Sequence, residues 1–180
     1  MSLLRKPIVV SKFREFHDYV KSNNGQIGIK QRGLDLNLNN ACNLKCEHCF
    51  TLSPKMLRIN ERMSVEKISE IMDQAHDLGI FEIDLQGGEL LLNKEYLYKV
   101  LEAMGTERFY VYVTTNGYFM TKEVAEKLYS LGVDRCSVSI DSMDPETHDT
   151  FRGRKGTWER AINALKFVKD AGITPYLNIT

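Results

Sequence analysis

The chain has 180 residues, 43% hydrophobic and 27% charged, an ordinary balance for a globular protein with one substantial core. Its 24 basic and 24 acidic side chains cancel, so composition gives no reason to expect bulk attraction to nucleic acid or to an anionic membrane. No apolar run is long enough to span a bilayer, and Met1–Val10 lacks the features of a secretory signal. We therefore expect a cytoplasmic protein without a membrane or nucleic-acid partner.

Helices that end at glycine alternate with strands along most of the chain. An amphipathic pattern over Ser11–Ser22 predicts a first helix, and Leu34–Leu38 is the first predicted strand. The later helices are expected to begin at capping or first-turn residues and to end at glycines, in the order Ser64 to Gly79, Asn93 to Gly105, Thr121 to Gly132, and Thr157 to Gly172. The strands expected after them are 80–85, 109–114, 134–140 and 173–179.

One further short helix is predicted where Asp144 precedes Pro145, an N-cap followed by proline at the first helical position. Strands and helices that alternate at this spacing indicate parallel strands joined by right-handed crossovers. Local rules do not separate an open sheet from a barrel. In both, reactive groups are expected at the carboxyl ends of the strands.

A cysteine cluster follows the first predicted strand. Cys42, Cys46 and Cys49 are separated by three and two residues, whereas Cys136 stands alone in a later strand and is expected to be a small core residue. Thiolates bind iron–sulfur clusters or zinc, and a structural zinc or an electron-transfer cluster usually takes four ligands. Three thiolates on a cluster leave one iron open. A zinc site with His48 as the fourth ligand is the alternative.

The cysteine spacing resembles the signature of the radical S-adenosylmethionine (radical SAM) superfamily. In that family the three cysteines hold a 4Fe–4S cluster, and the open iron chelates the amino and carboxylate groups of S-adenosylmethionine. The resemblance implies that Cys42, Cys46 and Cys49 are the metal ligands. His48 takes the place where the family normally has an aromatic residue near the adenine.

Two more segments follow predicted strands in the family's order. Gly87, Gly88 and Glu89 resemble the Gly-Gly-Glu motif that contacts the methionine amino group, although Leu90 stands where the family usually has proline. Glycines at a strand end allow close backbone approach, and a carboxylate accepts from an ammonium group. Asn116 matches a Thr-Asn-Gly segment that lines the cofactor pocket. If the resemblance to the family is left aside, each of these two segments is also compatible with an ordinary turn.

The fourth predicted strand and the short helix supply the remaining candidates. By resemblance, Ser139 contacts the ribose or carboxylate of the cofactor and Asp141 lines its pocket. Strand alternation puts these two side chains on one face. His148 to Arg152 is similar to a segment of radical SAM enzymes with a SPASM or twitch extension, in which the arginine reaches the cofactor carboxylate. Without the resemblance to the family, Ser139 and Asp141 are compatible with helix or turn caps, and Arg152 with an ordinary surface arginine.

The resemblance implies a partial (β/α)6 TIM-like barrel, truncated around the fifth strand. We expect residues 1–33 to be an N-terminal extension and residues 34–180 to be a radical SAM core without its C-terminal part. One side of the cofactor pocket is then open, so we expect weak cofactor retention and poor stability of this chain alone.

The activity implied by the family is reductive cleavage of S-adenosylmethionine to a 5′-deoxyadenosyl radical, which abstracts hydrogen from a peptide or small-molecule substrate. An external electron donor such as flavodoxin or ferredoxin is expected, and no catalytic residue is assigned. Two alternatives stay open, a zinc-binding interaction module and a catalytically silent fragment of the fold.

Overall fold

A computed structural model describes residues 5–49 and 62–179 of the chain. The first residues of the predicted N-terminal extension and Thr180, the last residue of the predicted core, lie outside the described residues. The strands are β1 (Gly33–Asn37), β2 (Glu82–Gln86), β3 (Tyr110–Thr115), β4 (Arg135–Ser139) and β5 (Thr174–Asn178). The helices are α1 (Pro7–Ser22), α2 (Val65–Asp77), α3 (Lys94–Ala103), α4 (Lys122–Ser130), α5 (Pro145–Phe151) and α6 (Thr157–Asp170).

The strands form one parallel sheet in the order β1-β2-β3-β4-β5. Each strand therefore lies beside its neighbour in sequence, as in part of a TIM-like barrel. This confirms the predicted α/β class and its parallel strands. Among the described helices, none is long and apolar enough to cross a membrane.

The two faces of the sheet differ in chemistry because successive side chains point to opposite sides. One face is apolar and packs with the helices in a single core, to which Ile83, Leu85, Val113 and Val138 contribute. The opposite face, which we call the inner face, carries Asp35, Asp84, Tyr112, Arg135 and Ser137.

Helix starts follow the predicted caps. Ser64, Asn93, Thr121 and Asp144 each accept a hydrogen bond from a backbone N–H in the first turn of α2, α3, α4 and α5, respectively. Helix α6 differs, because its cap is Gly156, which has no side chain to offer. The start of α1 was predicted wrongly: the helix begins at Pro7 rather than Ser11, since proline is well accommodated in a first turn.

The four strands predicted after the glycine-ended helices all begin one or two residues too early, and before three of them the helix-end hydrogen bonding extends one residue past the glycine. The N–H groups of Ile80, Val133 and Ile173 bind carbonyls of the preceding helices at 2.9–3.1 Å. A left-handed glycine precedes each of them, with φ between +82° and +88°. This is the Schellman geometry of a helix C-terminus. The first residues after each glycine therefore complete the helix, and strand pairing starts later.

Helix α1 packs at the amino end of the sheet, where Val9 and Phe16 join Phe81 in a small apolar cluster. The buried ammonium group of Lys6, just before α1, donates to the carbonyls of Phe109 at 2.8 Å and Gly132 at 2.7 Å. It also forms an ion pair with the fully buried Asp134. The predicted N-terminal extension is thus fixed to the end of the sheet opposite the cysteine loop.

Candidate functional site

The cysteine loop leaves the carboxyl end of β1. Cys42, Cys46 and Cys49 form no disulfide among the described residues; Cys46 is buried and the other two are half-buried. Burial is the main cause that raises the pKa of the Cys42 and Cys46 thiols above their ordinary value. Without a metal these groups are neutral, and a metal would displace their protons on binding.

Gly87 and Gly88, at the end of β2, lie against the backbone that leads into the cysteine loop. The Gly88 N–H donates to the Asn39 carbonyl at 2.8 Å, and the next N–H donates to the Ala41 carbonyl at 2.7 Å. A Cβ on Gly88 would lie 2.2 Å from the Ala41 oxygen, and one on Gly87 2.5 Å from the Asn39 oxygen. Both positions therefore require glycine, because any side chain would push the cysteine loop away from β2.

Glu89 is completely buried beside this contact. Its carboxylate accepts hydrogen bonds from the Leu91 N–H at 2.8 Å, the Thr115 hydroxyl at 2.7 Å and the Asn116 N–H at 2.7 Å. Burial raises the pKa of Glu89, and the three donors oppose that rise. The carboxylate joins the carboxyl end of β2 to that of β3.

Asn116 connects the same edge to the cysteine loop. Its side-chain amide donates to Asn43 Oδ1 at 2.9 Å and lies 3.8 Å from the sulfur of Cys42. Its own oxygen accepts from the Tyr118 N–H at 2.9 Å. The Asn43 Nδ2 atom is buried and has no hydrogen-bond partner in the described part of the chain. A donor without a partner beside Cys42 leaves room for an acceptor there.

The carboxyl end of α5 holds the other side of the loop. The Lys45 N–H donates to the Arg152 carbonyl at 3.4 Å, and the Glu47 N–H donates to the Phe151 carbonyl at 3.1 Å. The exposed His48 ring stacks on Phe151, with 4.8 Å between ring centroids and 12° between planes. Phe151 is a site residue that sequence reasoning missed; its position beside Arg152 was the available signal.

The Arg152 side chain lies between Asp141 and a cysteine. Its Nε and Nη2 donate to the Asp141 carboxylate at 2.6 and 3.0 Å, and its Nη1 lies 3.9 Å from the sulfur of Cys46. The Asp141 N–H donates to Nδ1 of His148 at 3.2 Å, so that nitrogen carries no proton. Burial, first of all, lowers the pKa of His148. The motif that predicts Arg152 also contains His148, which is not among the predicted site residues.

The structure thus brings Glu89 and Asn116 to one side of the cysteine loop, and Asp141 and Arg152 to the other. Ser139 lies buried at the carboxyl end of β4, on the same edge of the sheet. In the described residues, no group of three or more His, Cys, Asp and Glu side chains converges closely enough to hold a single metal ion.

Comparison with known proteins gives the family. The family model described as the Radical SAM superfamily matches residues 36–180. A protein named AdoMet-dependent heme synthase from Methanosarcina barkeri is 34% identical over 140 residues, which cover 77% of this chain and 39% of that protein. The subtilosin biosynthesis protein AlbA from Bacillus subtilis is 34% identical over 139 residues, which cover 76% of this chain and 30% of AlbA. The chain therefore spans well under half the length of these relatives.

Solved structures also match the fold of this chain. The crystal structure of SuiB from Streptococcus suis matches with a TM-score of 0.70 at 21% identity, over 92% of this chain and 36% of SuiB. Radical SAM proteins use a 4Fe–4S cluster and S-adenosylmethionine, and SuiB has been solved with S-adenosylmethionine bound. The predicted resemblance, including its SPASM-type relatives, is confirmed. The chain belongs to the radical SAM superfamily.

Proposed function

We propose that the chain is the part of a radical SAM enzyme that holds a 4Fe–4S cluster on Cys42, Cys46 and Cys49 and binds S-adenosylmethionine beside it. When bound, these groups supply an electron and a 5′-deoxyadenosyl radical, which abstracts hydrogen from a peptide or small-molecule substrate. The observation that carries the proposal is three thiols on one loop, at the sheet edge where Glu89 and Arg152 meet that loop.

The donor set suits a three-thiolate cluster. Cys136, the fourth cysteine, is fully buried in the core between sheet and helices and does not belong to the loop. N–H donors face the loop sulfurs: the Leu44 N–H and Asn116 amide toward Cys42 at 3.4 and 3.8 Å, and Arg152 toward Cys46. Such donors stabilise the negative charge of a ligating thiolate and tune a cluster's reduction potential.

The surrounding residues retain hydrogen-bonding capacity for the cofactor. A carboxylate has about four acceptor sites, and Glu89 uses three of them on protein donors, which leaves one for an ammonium group. A guanidinium has five N–H donors, and Arg152 uses two on Asp141 and directs a third at Cys46. We assign the cofactor contacts to His48, Gly87, Gly88, Glu89, Asn116, Ser139, Asp141 and Arg152.

A peptide is the favoured substrate class. SuiB has been solved with its precursor peptide SuiA, and AlbA is named for biosynthesis of a bacteriocin. A small molecule remains the other class, because another relative is named as a heme synthase. In this proposal an external electron donor such as flavodoxin or ferredoxin reduces the cluster.

The test is anaerobic reconstitution of the chain with iron and sulfide, followed by metal analysis, an absorbance spectrum and assay of 5′-deoxyadenosine after reduction. We expect a brown protein that cleaves S-adenosylmethionine. Cys42→Ala, Cys46→Ala and Cys49→Ala should each lose the cluster. Cys136→Ala is the matched control and should retain it.

Two outcomes would contradict the proposal. A colourless protein with about one zinc per chain would identify the zinc-binding module instead. A protein that assembles the cluster but releases no 5′-deoxyadenosine would identify a catalytically silent form of the fold.

A further inference from the structure

The inner face of the sheet contains a charged cavity that the cysteine site does not use. Asp84, Tyr112 and Arg135 lie side by side on β2, β3 and β4, and Asp35 extends the row onto β1. A cavity of about 260 Å³ opens over this row, and its lining also includes Arg32, Gly33, Leu34, Glu82 and Ser137. Charged groups on the inside of a barrel sheet need partners, so the partner of each one decides what the cavity can bind.

Among the described residues, Arg135 forms no hydrogen bond or ion pair. Its guanidinium carbon lies over the rings of Tyr112 and Tyr176, 4.8 and 3.4 Å from their centroids. A cation–π contact does not use the N–H groups of a guanidinium, so these groups keep their capacity to donate hydrogen bonds in the guanidinium plane. The Nε atom is buried without a hydrogen-bond partner in the described residues. The N–H edge is a fork suited to a carboxylate.

The carboxylates opposite differ in their partners. Glu82 is held by Arg32, with two hydrogen bonds of 2.7 Å. From the described part of the chain, Asp84 receives a single long contact of 3.5 Å, which comes from the Thr114 hydroxyl. Burial, and then the charge of Asp35, raises the pKa of Asp84, while Arg135 opposes the rise. A cation between Asp35 and Asp84 would relieve the repulsion between these two carboxylates.

We propose that this cavity binds a small zwitterion of amino-acid type, with its carboxylate on the N–H edge of Arg135 and its ammonium group against Asp84 and Asp35. Arg135, Ser137 and Ser139 alternate along one face of β4, so Arg135 lies about 13 Å from the edge where Ser139 is placed. A ligand anchored here extends toward that edge. The identification of this ligand as the polar end of the substrate rests on the proposed function. The binding of a zwitterion in the cavity does not depend on that function.

The test uses the metal-free chain labelled with nitrogen-15, so that the Arg135 Nε–H group reports directly by NMR. Glycine, β-alanine and γ-aminobutyrate are the zwitterionic probes, and acetate and methylammonium each carry one of the two charges. We expect a saturable shift of the Arg135 signal with at least one zwitterion. Asp84→Asn should weaken that binding about tenfold, since one charged hydrogen bond is lost. Arg135→Lys removes the Arg135 Nε–H signal from the spectrum and so identifies it. The same substitution should also remove the two-point binding of the ligand carboxylate.

Arg154 is the matched control, because it stacks on Tyr118 at 4.1 Å and is exposed outside the cavity; its signal should not move. No saturable shift with any zwitterion would overturn the proposal. So would acetate binding as tightly as the best zwitterion, because the carboxylates would then contribute nothing. Cluster assembly is not involved in this measurement, so failure of the zwitterion site and failure of the proposed function are distinguishable.

Discussion

Arg152 and Arg32 each donate hydrogen bonds to both oxygens of one carboxylate. The two ion pairs differ mainly in how far their side chains are exposed to solvent. The Arg152 and Asp141 side chains are 7% and 5% exposed, whereas those of Arg32 and Glu82 are 50% and 15% exposed. Losing one partner of a buried pair strands the other charge away from water, while a surface pair is largely replaced by solvent.

Arg152→Gln should therefore destabilise the metal-free chain by about 3 kcal/mol or more, because Asp141 would remain buried without its cation. Arg32→Gln, the matched control, should cost less than about 1 kcal/mol. Urea unfolding at neutral pH measures both free energies. Equal losses would show that burial does not decide the strength of the Arg152 pair.

Asp149 acts on a helix to which it does not belong. From α5, its carboxylate accepts from the Gly156 N–H, and from the Trp158 N–H and the Thr157 hydroxyl at 2.8 Å each, so it caps α6 in place of a side chain on Gly156. Burial raises the pKa of Asp149, but these hydrogen bonds together outweigh it and leave the pKa below its ordinary value.

Asp149→Asn should cost about 1 kcal/mol at neutral pH, the usual effect of a weakened cap. A lowered pKa in the folded state gives stability that is present above the unfolded pKa, about 3.9, and is lost as pH falls through the folded value. The difference in unfolding free energy between the two proteins should therefore stay constant down to about pH 4 and then shrink. A difference that grew on acidification would contradict this role.

Asp170→Asn is the control for that experiment. Asp170 is exposed at the last position of α6, where a negative charge meets the negative end of the helix dipole. Its substitution should leave stability unchanged or slightly raise it.

At the scale of elements, α1 is fixed by its first residues as well as by its apolar face. Lys6 is the donor to two carbonyls and the partner of Asp134, which also accepts from the Val111 N–H at 2.9 Å. These contacts tie the start of α1 to the amino ends of β3 and β4.

Lys6→Met should cost about 3 kcal/mol and expose the amides of α1 to hydrogen exchange, because the buried Asp134 carboxylate loses its main cation. The double variant with Asp134→Asn should recover part of the loss, since an amide still accepts from Val111 and carries no charge. Urea unfolding and hydrogen exchange measure both effects. A double variant less stable than Lys6→Met would show that the loss arises from packing of the lysine stem.

The order and type of these elements could be predicted because their signals are local. Ser64, Asn93, Thr121 and Asp144 are capping residues within one turn of the groups they bind, and a glycine two to five residues before a strand marks a helix end. The predicted starts of the strands were less accurate. The Ile80 N–H donates to a carbonyl of α2, and no feature of the sequence other than the glycine indicates that hydrogen bond.

At the scale of the whole molecule, the sequence could predict which residues belong to the candidate site. It could not predict which of those residues contact each other. The family order named Asp141 and Arg152, yet their ion pair and the contact with Cys46 join residues up to 106 positions apart. Lys6 and Asp134, 128 positions apart, had no motif to indicate them. Such pairs depend on how α5 and α1 dock on the sheet, which no local pattern encodes.

The sheet of the described residues ends at β5, which has no neighbour beyond it. Its side chains Tyr176 and Leu177 and the following Ile179 are 45%, 53% and 66% exposed. Unpaired backbone groups next to exposed apolar side chains are a template for pairing with another chain.

We therefore expect the isolated chain to self-associate through β5 and Leu177→Lys to reduce that association, because a charge on an edge strand opposes pairing. Leu78→Lys is the matched control: Leu78 is 74% exposed, but it lies at the end of α2 rather than on a strand. Sedimentation velocity over a range of protein concentrations measures the association of each variant. If both substitutions reduce it equally, scattered apolar exposure drives the association; if only Leu177→Lys does, the free edge of the sheet drives it.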